Sequence, residues 1–290
     1  MDQLQVYKSN ALIEAQYRLS VAEQRIMYAC ISQVRRDQPI TDDVLYSISA
    51  SELAEMSGTS TKQAYRELEK AALRLKRRDV RLIQEPNGQG RKRKVMITGW
   101  VQTIIYIEEE GRVELRLTKD MLPYLTNLTE QFTNFALRDV SRMTSSYGQR
   151  LYELLIQWRS LGRREVSIDW LRNAFLLEGK YPALKDFKRR VLEPAIEQIN
   201  EHSPLWVKWD QRKTGRRVSH LVFTFGEKPS EKPVNARKAK ASGNAKGKDK
   251  STIGAIYGIP RAVIETNARV GESYEDAALR LLEESKHSAR

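Results

Sequence analysis

Cysteine and histidine are scarce in this sequence of 290 residues. The chain has a single cysteine, Cys30, and three histidines that are widely separated. A lone cysteine can close no disulfide within the chain, and the histidine spacing does not fit a metal site. These absences disfavour a disulfide-stapled secreted protein and indicate a reducing cytoplasm as the location of the protein.

Long apolar runs are also missing. The longest apolar-leaning stretch, residues 96–107, is interrupted by glycine and polar residues and is shorter than the roughly 20 apolar residues of a membrane-spanning helix. It is better interpreted as two strands. The first ten residues lack the basic and apolar regions of a signal peptide. We therefore expect neither export nor a membrane partner.

Positive charge, in contrast, is in excess. Lys and Arg number 50 and Asp and Glu number 37, which gives a formal net charge of +13. This balance favours a polyanionic partner, nucleic acid before an anionic membrane surface. The segment 228–250 carries 8 basic and 2 acidic residues with one large apolar residue, so it cannot bury enough surface to fold alone. We expect it to be a flexible basic linker.

The first part of the chain has the pattern of a helix-turn-helix followed by a hairpin. Ser20, with Glu23 three residues later, predicts a capping box for a helix over residues 21–36. Ser60 and Gln63 predict a second capping box, and the short helix before it ends in a glycine turn. Two strand-like segments with a basic connection follow. This order is typical of a winged helix.

The same order recurs in the second part. Residues 146–160 predict a helix, Asp169 is the predicted N-cap of a shorter helix, and residues 183–200 predict an amphipathic helix that Pro194 should kink. A hairpin with glycine and four basic residues at its tip follows. The fold class is therefore α+β, with two pseudo-symmetric winged-helix domains.

Four parts follow from these patterns. We expect an N-terminal winged helix over 1–137 that binds DNA, a C-terminal winged helix over 138–227 with the main DNA contacts, the basic linker over 228–250, and a small helical tail over 251–290. The tail reads as two short helices. It either docks on the second winged helix or, as we favour, recruits a partner to the DNA.

Several stretches of the chain, taken in order, resemble the iteron-binding replication initiator proteins of bacterial plasmids. They are residues 9–34, 49–75, 145–158, 185–200 and 217–225. The resemblance implies two winged-helix domains that bind directly repeated origin sequences (iterons) as a monomer. It also implies that monomers open the origin with the host initiator and recruit the host replicative helicase. Dimers of such proteins bind an inverted repeat at their own promoter and repress it, and the resemblance implies that the N-terminal winged helix forms the dimer.

The resemblance also assigns the DNA contacts. The residues at the start of the second recognition helix would enter the major groove: Lys185, Lys188, Arg189 and Arg190. Arg can bridge guanine O6 and N7, whereas Lys more often meets phosphate. Lys62 and Arg66 stand at the start of the first recognition helix, where neighbouring glutamates leave a merely solvated face open as an alternative. The basic residues of the two wings would bind backbone phosphate: Arg91, Lys92, Arg93, Lys94, Lys213, Arg216 and Arg217.

Two other function classes are weighed against this interpretation. A plain transcriptional repressor would use the same two domains on a palindrome. A strand-nicking relaxase would need a paired-histidine metal motif and a nucleophilic tyrosine, and a P-loop ATPase would need a spacing that the glycines of residues 243–249 do not provide. We expect no enzymatic activity, no metal and no cofactor.

The charge distribution makes a prediction about salt. If roughly 6 to 10 phosphates are contacted, the logarithm of the DNA association constant should fall against the logarithm of salt concentration with a slope of about −5 to −9, because each contact releases counterions. Fluorescence anisotropy between 50 and 300 mM salt measures this slope. A flat response would contradict the electrostatic argument.

Overall fold

A computed structural model describes residues 4–35, 41–83, 95–128 and 131–229, and the backbone of 255–256 and 259–260. The chain divides into two compact units, Met1–Ser230 and Glu231–Arg290. The predicted basic linker lies outside the described residues apart from its first two positions.

The N-terminal domain contains a helix-turn-helix and three small antiparallel sheets. Its elements are β1 (Gln5–Ser9), α1 (Asn10–Ile13), α2 (Val21–Ser32), β2 (Tyr46–Ser49), α3 (Ala50–Ser57), α4 (Thr61–Leu75), β3 (Asp79–Leu82), β4 (Met96–Gly99), β5 (Val101–Ile107), β6 (Arg112–Leu117) and β7 (Phe132–Ala136). The strand orders are β2-β6-β5, β3-β4 and β1-β7. The prediction of two strands within residues 96–107 is confirmed.

Serine hydroxyls begin the three main helices of this domain. The box of Ser20 and Glu23 is confirmed, and α3 has a second reciprocal box, which the sequence analysis missed. The predicted box at Ser60 is only half formed, because the side chain of Gln63 donates to Glu67 and does not return to Ser60. Helix α2 ends at Ser32, short of the predicted residue 36, since the amides that follow bond three residues back.

The C-terminal domain repeats this plan. Its elements are α5 (Arg138–Ser141), α6 (Ser146–Ile156), β8 (Arg163–Ser167), α7 (Ile168–Ala174), α8 (Leu184–Phe187), a π turn (Lys188–Leu192), α9 (Glu193–His202), β9 (Leu205–Thr214) and β10 (Arg217–Glu227). Two predicted details are wrong. Helix α6 ends at Ile156, four residues before the predicted residue 160. The turn that follows contains Gly162 in a left-handed conformation. Ser167 is the N-cap of α7 in place of Asp169, because its hydroxyl accepts the Trp170 amide at 3.1 Å.

The strand order relates the two domains. In the C-terminal sheet, β8-β10-β9, the strand before the helix-turn-helix pairs with the second strand of the hairpin. The sheet β2-β6-β5 has the same order, so β5–β6 is the topological equivalent of the C-terminal wing. The predicted wing forms its strands β3 and β4, but they make a separate two-stranded sheet.

A buried ion cluster joins the N-terminal strand to α6. The carboxylate of Glu153 pairs with Lys8 of β1 and with Arg150 one turn earlier on α6, and none of the three side chains is more than 3% exposed. The Tyr17 hydroxyl donates to Glu153 Oε2 at 3.0 Å, and Arg150 donates to the Ile13 carbonyl at 2.9 Å. One carboxylate thus holds charges from two distant parts of the chain.

The segment that leads into α6 is held from α2. The Arg25 guanidinium donates to the carbonyls of Ser141 at 2.7 Å and Met143 at 3.1 Å, and the Gln24 side chain donates to the Ser146 carbonyl at 3.1 Å. Arg25 is 6% exposed, so these bonds are shielded from water. Helix α6 also packs on α9, and the two domains therefore share one continuous core.

Within the second unit, the structure describes two short strands. They are β11 (Ala255–Ile256) and β12 (Ile259–Pro260), which pair in antiparallel fashion. The predicted helix is wrong at these four positions, because both dipeptides are extended and pair with each other. The other residues of the predicted tail helices lie outside the described residues.

The ion cluster makes a prediction about stability. Burial would raise the pKa of Glu153, but Lys8 and Arg150 outweigh it and hold the pKa below its usual value. Glu153→Gln should lower the free energy of unfolding by about 3 kcal/mol or more at neutral pH, because it leaves two buried cations without an anion. The deficit should begin to shrink as the pH falls below about 4.3, the pKa of glutamate in an unfolded chain, and should disappear only below the lower pKa of the folded state, where the wild-type carboxylate also loses its charge.

Urea denaturation followed by tryptophan fluorescence measures this difference. The matched control is Glu165→Gln, which removes the partner of Arg212 at the exposed surface and should cost at most about 1 kcal/mol. Equal losses in the two variants would contradict the prediction.

Candidate nucleic-acid interface

The second recognition helix carries the predicted basic residues on its outer side. Lys185, Arg189 and Arg190 are exposed, whereas Lys188 is half-buried. The inner side is apolar and fully covered: Phe187, Val191, Leu192, Ala195, Ile196 and Ile199. The helix is therefore fixed by its core face and offers its cations to solvent.

A π turn, in place of the predicted simple kink, interrupts this helix. The Glu193 amide donates to the carbonyl of Lys188, five residues back. Pro194 follows directly and has no amide hydrogen for the carbonyl of Arg190, so a regular α-helical ladder cannot pass through this point. Such turns are frequent at functional sites.

The loop before this helix is strained and braced. Leu176 and Tyr181 both have positive φ, 49° and 51°, a left-handed conformation that is costly for residues with a side chain. The Arg172 guanidinium donates to the carbonyls of Lys180 at 3.1 Å and Pro182 at 3.4 Å. It also lies 4.8 Å from the centre of the Phe187 ring. Arg172 therefore ties the loop to the first turn of the recognition helix.

The C-terminal wing stands beside the recognition helix. Its tip turns at Gly215, whose φ is +62°, and the predicted residues Lys213, Arg216 and Arg217 are all exposed. The Lys188 ammonium donates to the Gln211 side chain at 3.3 Å and lies 5.6 Å from the Trp209 ring centre, both on β9. Lys188 thus connects the helix to the wing, unlike its three basic neighbours.

A cleft of about 540 Å³ separates the helix start from the wing tip. Arg172, Leu184 and Arg217 line it, together with the hydroxyl-bearing Thr214 and Ser219, whose oxygens are 2.7 Å apart. The Lys188 contact and this cleft place the wing beside the start of the recognition helix, and among the predicted cations Arg217 lines the cleft.

The N-terminal domain presents a different surface. Lys62 and Arg66 are exposed on the first turns of α4. The tip of β5–β6, with the exposed Glu108, Glu109 and Glu110, lies against that helix, because the Tyr65 hydroxyl donates to the Glu108 carbonyl at 3.3 Å. This arrangement places negative charge beside the two cations. The predicted wing residues Arg91 to Lys94 lie outside the described residues.

Sequence reasoning missed Arg172. It lies on α7, the helix expected only to support the recognition helix. Its contacts are with two backbone carbonyls and an aromatic ring, and no residue pattern in the sequence predicts them. The left-handed conformation of Leu176, just after the end of α7, is visible only in the structure, because a helix usually takes glycine there. A strained turn of this kind needs support from elsewhere.

Other chemistry finds little support in the part of the chain that the structure describes. Within it, no group of three His, Cys, Asp or Glu side chains could hold a metal ion. Cys30 is buried, and burial raises the pKa of its thiol well above the usual value. In the same described residues, no helix has the length and apolar character needed to cross a membrane.

The contacts of Arg172 with the loop and with Phe187 predict an effect on DNA binding. Arg172→Ala should weaken binding to a specific DNA site about ten-fold or more, because the recognition helix loses its fixed angle, while binding to unrelated DNA falls no more than for any lost surface charge. The control is Arg163→Ala, an exposed arginine on β8 at the end away from the wing tip. Gel-shift titrations on both DNAs test this, and equal losses of specific binding would contradict it.

Two family models match the chain. The model described as "Initiator Replication protein, WH1" matches residues 5–156, and "Initiator Rep protein, WH2" matches residues 167–225. A "Replication initiation protein" of Escherichia coli is 27% identical over 230 residues, covering 77% of this chain and 70% of the relative. The "PI protein" of Escherichia coli is 24% identical over 245 residues, covering 74% and 80%.

A solved structure has the same fold. The crystal structure of Pi initiator protein in complex with iteron DNA matches with a TM-score of 0.67 at 22% identity and covers 79% of this chain and 100% of that chain. The likeness confirms the α+β fold of two winged-helix domains. Since the first family model alone matches more than half of the sequence, the chain belongs to the family of initiator replication proteins.

Proposed function

We propose that this protein initiates plasmid replication by binding directly repeated origin sequences, with both winged-helix domains of one molecule on each repeat. The observation that carries the proposal is the exposure of Lys185, Arg189 and Arg190 on a helix that Lys188 connects to the basic wing. The Pi initiator, which shares the fold, is described in complex with iteron DNA. Because the repeats are direct, one molecule per repeat suffices.

The roles of the cations differ. Arg189 and Arg190 are placed to reach guanine edges in the major groove, and Lys185 to reach a base or phosphate. Lys213, Arg216 and Arg217 at the wing tip bind the backbone and set the register. Lys62 and Arg66 of the first domain make backbone contacts, since the acidic tip beside them is unsuited to a deep approach to DNA.

The proposal extends to partners that follow from the family resemblance. Monomers at the origin promote its opening with the host initiator and recruit the replicative helicase. Dimers, formed through the first domain, bind an inverted repeat at the promoter of the gene and repress it. The protein acts in the cytoplasm by binding alone, without catalysis or a cofactor, so a metal-dependent cleavage assay on supercoiled DNA should show no nicking.

A footprint on the DNA that flanks the gene tests the proposal. We expect protection that recurs at about two helical turns, roughly 20 base pairs, in tandem orientation. A single symmetric patch would indicate a repressor without an initiator role. No protection at moderate salt would contradict DNA binding by these domains.

Two variants separate the roles of helix and wing. Arg189→Ala should cost about 1–3 kcal/mol on the repeat and relax specificity at one base pair, because it removes a base contact. Arg216→Ala should weaken binding to all sequences alike and reduce the salt slope by about 1, because it removes a phosphate contact. Identical behaviour of the two variants would contradict the assignment.

A further inference from the structure

One row of exposed side chains runs along the second recognition helix. Its members are spaced by four residues: Lys185, Arg189, Glu193 and Glu197. The buried face repeats at the same spacing, from Phe187 to Ile199. The outward row therefore changes from positive to negative charge at its middle.

The π turn keeps this row straight. In a regular α-helix, four residues advance about 40° beyond one turn, so a residue eight positions after Lys185 would lie about 80° away around the axis. The π turn over residues 188–192 has its hydrogen bond five residues back and more residues per turn, which offsets the drift. Phe187 and Ala195 consequently share the buried side, and Lys185 and Glu193 share the exposed side.

Glu193 is close enough to the base-reading residues to act with them. It lies eight residues after Lys185, which is about 12 Å along the axis and spans three to four base-pair steps of 3.4 Å. Within the described residues no hydrogen bond or ion pair is found for its carboxylate, whereas Arg189 is paired with Asp186 at 3.1 Å. If the helix lies in the groove, DNA phosphates repel the Glu193 carboxylate because both are negative. A hydrogen-bond donor on a base edge is then its favourable partner on the DNA.

We propose that Glu193 reads a cytosine in the repeat by accepting a hydrogen bond from its N4 amino group. A carboxylate can only accept, and in the major groove cytosine presents a donor at N4 that pairs with Glu or Asp. The π turn and Pro194 then align the Glu193 carboxylate with Lys185 and Arg189 on the same side of the helix. This inference rests on the proposed function, since it needs the recognition helix to lie in the major groove.

Equilibrium binding of the full chain to the repeat and to a set of single base-pair substitutions tests the proposal. Glu193→Ala should lose about ten-fold discrimination at one C·G position, because the acceptor is gone, and should bind unrelated DNA slightly more tightly. The matched control is Glu197→Ala, one turn further along the same row. It should show the gain on unrelated DNA and keep every base preference. Thermal denaturation should show both exposed-site variants folded as the wild type.

The outcomes distinguish a failure of the inference about Glu193 from a failure of the proposed function. If Glu193→Ala keeps the same base preferences as Glu197→Ala, Glu193 reads no base and the inference is wrong. If the wild-type protein itself fails to prefer the repeat over unrelated DNA, the proposed function is wrong and the inference falls with it.

Discussion

The structure depends on a single buried carboxylate. Glu153 neutralises Lys8 from the first strand and Arg150 from its own helix, and it accepts a hydrogen bond from Tyr17. Removing three such groups from water is costly unless all of them are paired. The cluster therefore forms only when strand β1, the segment around Tyr17 and helix α6 are all in place. It ties strand β1 to helix α6 within the residues that the first family model matches, and α6 in turn packs on α9 of the second winged helix.

This junction gives the two proposed DNA-binding surfaces a fixed relation. Arg25 holds the connection before α6, and α6 packs on α9, which continues the second recognition helix. The two surfaces differ in charge, because the hairpin equivalent to the basic wing ends in three glutamates in the first domain. This difference underlies the proposal that the second domain reads bases and the first holds the DNA backbone, although both have the same plan.

Local patterns in the sequence predicted most of the fold and the surface cations. Serine caps, apolar periodicity and glycine turns act over a few residues, so the helix-turn-helix units and both strand pairs were found. Contacts between distant residues left no such signal: Lys8 and Glu153 are 145 positions apart, and the brace from Arg172 ends on backbone carbonyls. The π turn was not predicted, because the buried residues at 187, 191, 195 and 199, together with Leu192 and Ile196, also fit the apolar stripe of a regular helix.

Fixed geometry between the domains is the central claim, and DNA with an altered spacing tests it most directly. Five base pairs inserted at the centre of one repeat rotate its two halves by about half a helical turn relative to each other. A rigid body should then bind with no more affinity than it has for one half alone, and a ten-base-pair insertion should not restore the original affinity because the separation has grown by about 34 Å. Undiminished binding to the five-base-pair insertion would contradict the account, because only independently tethered domains could follow both halves.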